Sequence, residues 1–314
     1  MQDSFQRTVD TLRISVTDLC NFRCRYCMGP DGVPLCAHRD ILSFEEIERI
    51  AAVAVSLGVR RIRLTGGEPL VRRGIVTLCR MLGAIPGLEE LTMTTNGSLL
   101  VRHAKALKDA GVARLNISLD TLDPEKFRRI TRTGELSDVL AGIDEAERVG
   151  FAGTKINVVL LGGFNDDEIP SLVHLTMQRD LCVRFIEWMP IGGAYENIGT
   201  FLPADAVLQA VPSLVPSGVD GVAARYRLPG ARGSVGLIPS MTHKFCGRCS
   251  RIRLTADGKL KPCLYSAAEI PLRGLNGDAL TDALRAGILQ KPKEHRMDRT
   301  HPSETVRRMF EIGG

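Results

Sequence analysis

Aromatic residues are scarce in this chain: Phe, Trp and Tyr fill 5% of its 314 positions, with a single Trp. So few flat side chains leave little on which bases could stack, which argues against a nucleic-acid track. Nor is there a strong excess of one charge, since 41 Lys plus Arg face 36 Asp plus Glu, for a formal net charge of +5. That balance is too weak for a polyanion partner but suits a small anionic ligand. No apolar run approaches the roughly 18 residues of a membrane helix. The opening MQDSFQRTVD has neither the basic start nor the apolar middle of a secretory signal. The expectation is a cytoplasmic protein that meets neither membrane nor nucleic acid. With 44% hydrophobic residues the chain can bury a core as one large domain or two moderate ones.

Cysteine, in contrast, is plentiful for a reducing compartment. Of the nine, six form two triplets, Cys20, Cys24 and Cys27 near the start and Cys246, Cys249 and Cys263 near the end. Cys36, Cys79 and Cys182 stand alone and read as small buried hydrophobes. Cytosolic thiols stay reduced, so clustered ones point to metal binding or catalysis rather than disulfides.

The first two thirds of the chain alternate short β-rich runs with helical patterns, as βα units around a parallel sheet do. Six strands are expected near 12–17, 61–65, 90–95, 114–118, 155–160 and 183–187. Helix punctuation supports them: Ser43 with Glu46 forms a capping box, Asp123-Pro124 opens a helix, and Gly58, Gly111 and Gly150 close others. Periodicity leaves an open doubly wound sheet and a partial barrel both standing. The polar motifs all follow strands, however, which gathers them at one mouth, as in barrel enzymes. Residues 192–236, rich in Gly, Pro and Ala, read as a looser connection, and the segment from Leu237 as a small irregular domain. The expected division is therefore 1–236 and 237–314.

Leu12 to Met28 reads LRISVTDLCNFRCRYCM, with three thiols at C-x3-C-x2-C spacing after the first strand. Three soft ligands select zinc or iron–sulfur, and Cys36 or His38 could complete a structural zinc site. The pattern with Tyr26 before the last cysteine resembles the signature of the radical S-adenosylmethionine superfamily, which holds a four-iron cluster with three cysteines. Ordinary clusters use four thiolates. The missing fourth implies an open iron that the methionine end of the cofactor chelates. Gly66-Gly67-Glu68-Pro69 resembles the superfamily's loop for the methionine amino group, where glycine permits close backbone approach. Thr94 to Gly97 and Ser118 to Asp120 also end strands where ribose, carboxylate or substrate could sit.

The second triplet is spaced C-x2-C-x13-C, and a structural zinc with His243 as fourth ligand remains open on spacing alone. Between its cysteines, Arg251 and Arg253 alternate on a short strand and so face one way. Two rigid guanidinium forks suit a triphosphate. Arg13, Arg63 and Lys155 also lie in apolar strands, where a cation needs a counter-charge. A nucleotide could supply it, or salt bridges to Glu68, Asp120 or Glu187.

Taken together, LRISVTDLCNFRCRYC, RLTGGEPL, TTNG, NISLD, KINVV, FIEWMPIG, CGRCSRIRLTADGKLKPCL and the closing Gly313-Gly314 resemble the GTP 3',8-cyclase family end to end. The resemblance implies an α/β fold, a partial (βα)6 TIM-like barrel with an irregular C-terminal auxiliary-cluster domain. It implies two 4Fe-4S clusters, one per triplet, and S-adenosyl-L-methionine held at Tyr26, Gly66, Gly67, Glu68, Ser118 and Met189. GTP would meet Arg13, Arg63, Thr94, Lys155, Arg251 and Arg253. The implied reaction is the first step of molybdenum cofactor biosynthesis: a deoxyadenosyl radical takes hydrogen from ribose C3', and the carbon radical attacks purine C8. One electron and one proton then complete 3',8-cyclo-7,8-dihydro-GTP. The chemistry belongs to the cofactor, with Gly313 and Gly314 in support. An electron donor such as flavodoxin or ferredoxin is implied, as is hand-over to cyclic pyranopterin monophosphate synthase. A homodimer is compatible with the resemblance.

Overall fold

The structure, a computed structural model, describes residues 1–33, 40–192, 198–297 and 303–313. Cys36, His38 and Gly314 lie outside the described residues. Six strands appear where the alternation predicts them: β1 (Thr11–Ser15), β2 (Arg61–Thr65), β3 (Glu90–Thr95), β4 (Arg114–Ser118), β5 (Thr154–Gly162) and β6 (Leu181–Glu187). They pair in parallel in chain order. Between them run α1 (Phe44–Ser56), α2 (Ile75–Gly83), α3 (Leu100–Asp109), α4 (Pro124–Thr131), α5 (Leu136–Arg148) and α6 (Ile169–Gln178). The capping box of α1 forms, Glu46 N donating to Ser43 Oγ and Ser43 N to the Glu46 carboxylate. Ile47, Ile50, Ala51 and Ala54 bury one face of the helix in the main core. At α4, Asp123 accepts from the amides of Glu125 and Lys126, and Pro124 opens the helix. Cys79 and Cys182 are buried, as expected of small apolar side chains.

The stretch 192–236 corrects one expectation. Its described residues do not form a loose connection but carry β7 (Thr200–Phe201), α7 (Ala206–Ala210), β8 (Val215–Asp220), β9 (Ala223–Arg227) and part of β10 (Ser234–Ile238). The last, SVGLI, is buried throughout and pairs in parallel with β6. Its glycine content hides a strand because both faces are covered, so no alternation marks it.

The C-terminal part supplies β11 (Arg251–Leu254), β12 (Lys259–Lys261), β13 (Ile270–Pro271), α8 (Gly277–Leu289) and α9 (Met309–Ile312). Strand β11 pairs in parallel with β1. The six expected parallel strands are thus flanked by β11 on one edge and β10 on the other, and the order β11-β1-β2-β3-β4-β5-β6-β10 stays open. This is a partial barrel. Both closing strands come from the last third of the chain, and the boundary between 236 and 237 falls within β10.

Candidate functional site

The first triplet lies in the loop that leaves β1 at the C-terminal mouth of the barrel. Cys27 and Met28 both donate their amides to the Cys24 carbonyl, which coils the loop into a turn. The end of α4 holds it from outside: Arg23 N donates to Thr131 O and Arg25 N to Ile130 O, each 2.9 Å, while Phe22 meets Phe127 edge-on. Burial pushes the Cys27 thiol up to about 12 and the Cys20 thiol to about 11. Cys24 is raised by burial and then by Cys27 and Cys20, so the three sulfurs share one neighbourhood.

The loop after β2 packs directly against it. A Cβ on Gly67 would strike the Leu19 and Asp18 carbonyls, so only glycine admits this approach. Glu68 is fully buried and ties two loops together, accepting from Leu70 N at 3.0 Å, Thr95 Oγ1 at 2.7 Å and Asn96 N at 2.6 Å. Burial raises its carboxyl to about 7 against those three donors. Tyr26 donates to Asp120 Oδ2 at 2.7 Å, and Val159 N to Asp120 Oδ1 at 2.8 Å.

Strand register brings the cations together. Arg253, Arg13, Arg63 and Thr92 are mutual partners across β11, β1, β2 and β3, so they form one row on the inner face. Arg13 is held well below its usual value by burial and by Arg253, Arg251 and Arg63. Arg63 falls to about 9 and Arg253 to about 10, chiefly through burial. Such a row strains against itself until an anion arrives. Among the described residues Arg13 and Arg63 form no ion pair, and Glu68, Asp120 and Glu187 are engaged with other partners. The salt bridges considered as an alternative for these cations therefore do not form. Lys155 does find a carboxylate, that of Asp220, at 2.6 Å.

The second triplet lines the same cavity as the first. Cys249 N donates to Cys246 O at 3.1 Å, and Arg7 clamps the turn from the N-terminal segment, donating to Cys246 O at 2.9 Å. Although burial opposes charge on Cys249, Arg251 and Lys291 outweigh it and bring the thiol down to about 6. Arg251 also stacks over the Phe245 ring at 5.1 Å. Arg253 donates to the carbonyls of Ile312, at 3.1 Å, and Gly313. Gly313 has φ +69° and lies so close to Thr65 that no Cβ fits.

One cavity joins these parts. Its wall includes all six clustered cysteines together with Tyr26, Gly66, Gly67, Thr94, Ser118, Met189, Arg13, Arg63, Arg251 and Arg253. Met189 accepts a hydrogen bond from Tyr265 Oη at 2.8 Å. Glu68 and Lys155 stand behind the wall rather than in it. His243, the alternative zinc ligand, is exposed and does not line the cavity. Arg184 of β6 was missed by the sequence reading yet lines the cavity with its Nε unpartnered, as does Asn157 with its Oδ1. A cation inside the apolar strand LCVRFIE was the signal for Arg184, the same one used for Arg13.

A family model described as the Radical SAM superfamily matches residues 14–176, and one described as Molybdenum Cofactor Synthesis C matches 181–297. A GTP 3',8-cyclase of Peptoclostridium acidaminophilum is 50% identical over 99% of this chain and 98% of its own length. Another, of Moorella thermoacetica, is 49% identical with both chains covered in full. The chain belongs to the GTP 3',8-cyclase family. Its fold is also that of Streptococcus suis SuiB bound to S-adenosylmethionine, at a TM-score of 0.62 and 16% identity over 97% of this chain and 75% of that one. Radical S-adenosylmethionine enzymes bind that cofactor and a four-iron cluster, and GTP 3',8-cyclases carry an additional C-terminal cluster. The residues fit such groups. All six clustered cysteines are free thiols, soft donors in two groups of three lining one cavity. Among the described residues no three His, Cys, Asp or Glu are gathered to hold a single ion, whereas cluster thiolates bind separate irons. No described helix is long and apolar enough to cross a membrane.

Proposed function

We propose that this chain converts GTP to 3',8-cyclo-7,8-dihydro-GTP as a GTP 3',8-cyclase, the first step of molybdenum cofactor biosynthesis. The observation that carries this reading is the single cavity lined by both cysteine triplets and by Arg13, Arg63, Arg251 and Arg253, of which Arg13, Arg63 and Arg253 share one strand register. Cys20, Cys24 and Cys27 would hold the catalytic cluster, and Cys246, Cys249 and Cys263 the auxiliary one. Bound there, cluster and cofactor together supply a 5'-deoxyadenosyl radical, an oxidant that side chains cannot make.

The chain's own residues do the rest. Tyr26, Gly66, Gly67, Ser118 and Met189 would line the bed of S-adenosylmethionine, with Glu68 bracing the loop from behind. Arg13, Arg63, Arg251 and Arg253 would take the triphosphate, joined by Thr94 and Lys155, and would fix the ribose against the radical source. The cavity walls would shield the carbon radical from water once cofactor and substrate fill it. Gly313 would complete the wall beside Arg253, with Gly314 following it. On this reading residues 1–236 form the catalytic unit and 237–314 the auxiliary-cluster unit, joined through one sheet. The reaction needs two electrons and one proton from outside, one electron for reductive cleavage of the cofactor and the other with the proton to quench the cyclised radical, supplied by a donor such as flavodoxin or ferredoxin. Its product passes to cyclic pyranopterin monophosphate synthase in the cytoplasm, and a homodimer is the assembly to test.

Anaerobic reconstitution decides the matter. About eight irons per chain are expected for two four-iron clusters. Reduced enzyme given S-adenosylmethionine and GTP deuterated at C3' should release deoxyadenosine carrying the label. Deoxyadenosine without label, or zinc in place of iron, overturns the reading.

A further inference from the structure

The hairpin of β8 and β9 lies on the outer edge of the sheet, and most of β8 is exposed. It turns at Asp220-Gly221-Val222, and from that turn one carboxylate reaches inward. Asp220 Oδ2 sits 2.6 Å from Lys155 Nζ and 2.6 Å from a terminal nitrogen of Arg184. The partners are unequal. The Lys155 and Arg184 side chains are only 6% and 10% exposed, while that of Asp220 is 36% exposed. Two buried cations from the barrel floor, on β5 and β6, are thus neutralised by a carboxylate carried on a lightly packed arm. The register across β8 shifts between Pro216 and Gly218, and Gly218 and Gly221 both take positive φ. With β9 held against β10, it is the turn at 219–222 and exposed β8 that can rearrange at a smaller cost than a central strand.

Position gives the pairing its meaning. Arg184 and Val222 line the cavity, whereas Lys155 stands behind its wall with its ammonium on Asp220. Any phosphate that is to reach Lys155 must take the place of that carboxylate. Resting on the proposed function, we propose that Asp220 is an internal counter-ion filling the subsite of the terminal phosphates, which GTP displaces on binding and which returns as the product leaves. An oxyanion is exchanged for an oxyanion, so the buried cations are never left bare. The product keeps the triphosphate, and a returning carboxylate would speed its release.

The test compares GTP with GMP on the anaerobically reconstituted enzyme. In wild type GTP should bind more tightly than GMP. Asp220→Asn removes the competitor and should tighten GTP roughly tenfold or more, the scale of one charge-assisted hydrogen bond, while GMP changes little. Weaker GTP binding would make Asp220 a mere brace for the cations, and an equal change for both nucleotides would also sink the idea. Hydrogen exchange on the unaltered protein decides the matter even if the variant fails to fold: GTP, but not GMP, should raise exchange at 219–222. Protection there by GTP overturns the proposal. Should wild type bind GTP and GMP alike, or neither, the triphosphate site itself is misassigned, and both readings fall.

Discussion

Lys291 places its ammonium 3.4 Å from Cys249 Sγ while donating to the carbonyls of Arg251 at 2.9 Å and Pro262 at 3.0 Å. A single buried cation thereby joins the two arms of the second triplet, the one ending at Cys249 and the one leading to Cys263. Lys291→Met strips two buried carbonyls of their donor, at about 1–3 kcal/mol each. Expected are a melting temperature lower by several degrees and iron falling toward about half, with partial rescue by Lys291→Arg. Iron at the wild-type level in the Met variant would show that Lys291 does not hold the site.

Cys24→Ser should act on the other triplet alone, because the two sets of ligands hang from different strands. Iron should drop from about eight to about four per chain. Deoxyadenosine formation should vanish while GTP still binds. Continued cleavage of S-adenosylmethionine at the wild-type rate would contradict the assignment.

The amine of Lys155 is lowered to about 8 by burial and by Arg184 and Arg114, with Asp220 opposing them. A bound phosphate favours the charged form and raises that value again. Affinity for GTP is then fully present below about pH 8 and declines as pH rises through it, by up to about tenfold at one pH unit above. Titrating GTP binding from pH 7 to 9 checks this, and Lys155→Arg should flatten the profile. A flat profile in wild type would exclude Lys155 from the nucleotide site.

Gly313→Ala puts a methyl group against Thr65 at a φ that alanine avoids. The tail should leave its place on Arg253. Iron content and S-adenosylmethionine binding should persist, and product formed per deoxyadenosine released should fall about tenfold through loss of positioning. An unchanged ratio would mean that the tail plays no part in the reaction.

The six βα units and both cysteine triplets were legible in the chain because each rests on local rules. Alternation of apolar residues marks a half-buried strand, Ser43 and Asp123 announce helices through hydrogen bonds three residues long, and thiol spacing reports which ligands can meet in one loop. Arg13 and Arg63 could each be recognised as a cation in an apolar strand, and Arg253 by its alternation with Arg251. Their assembly into one row could not, since β11 joins β1 across 240 residues of chain and register between distant strands leaves no local mark. Tertiary structure also decided that β10 and β11 would flank the parallel sheet, that Lys291 would hold Cys249, and that Asp220 would reach Lys155 and Arg184. Short-range periodicity encodes what a segment becomes; which buried charges face one another is settled only when the sheet curls and the outer hairpin folds back onto it.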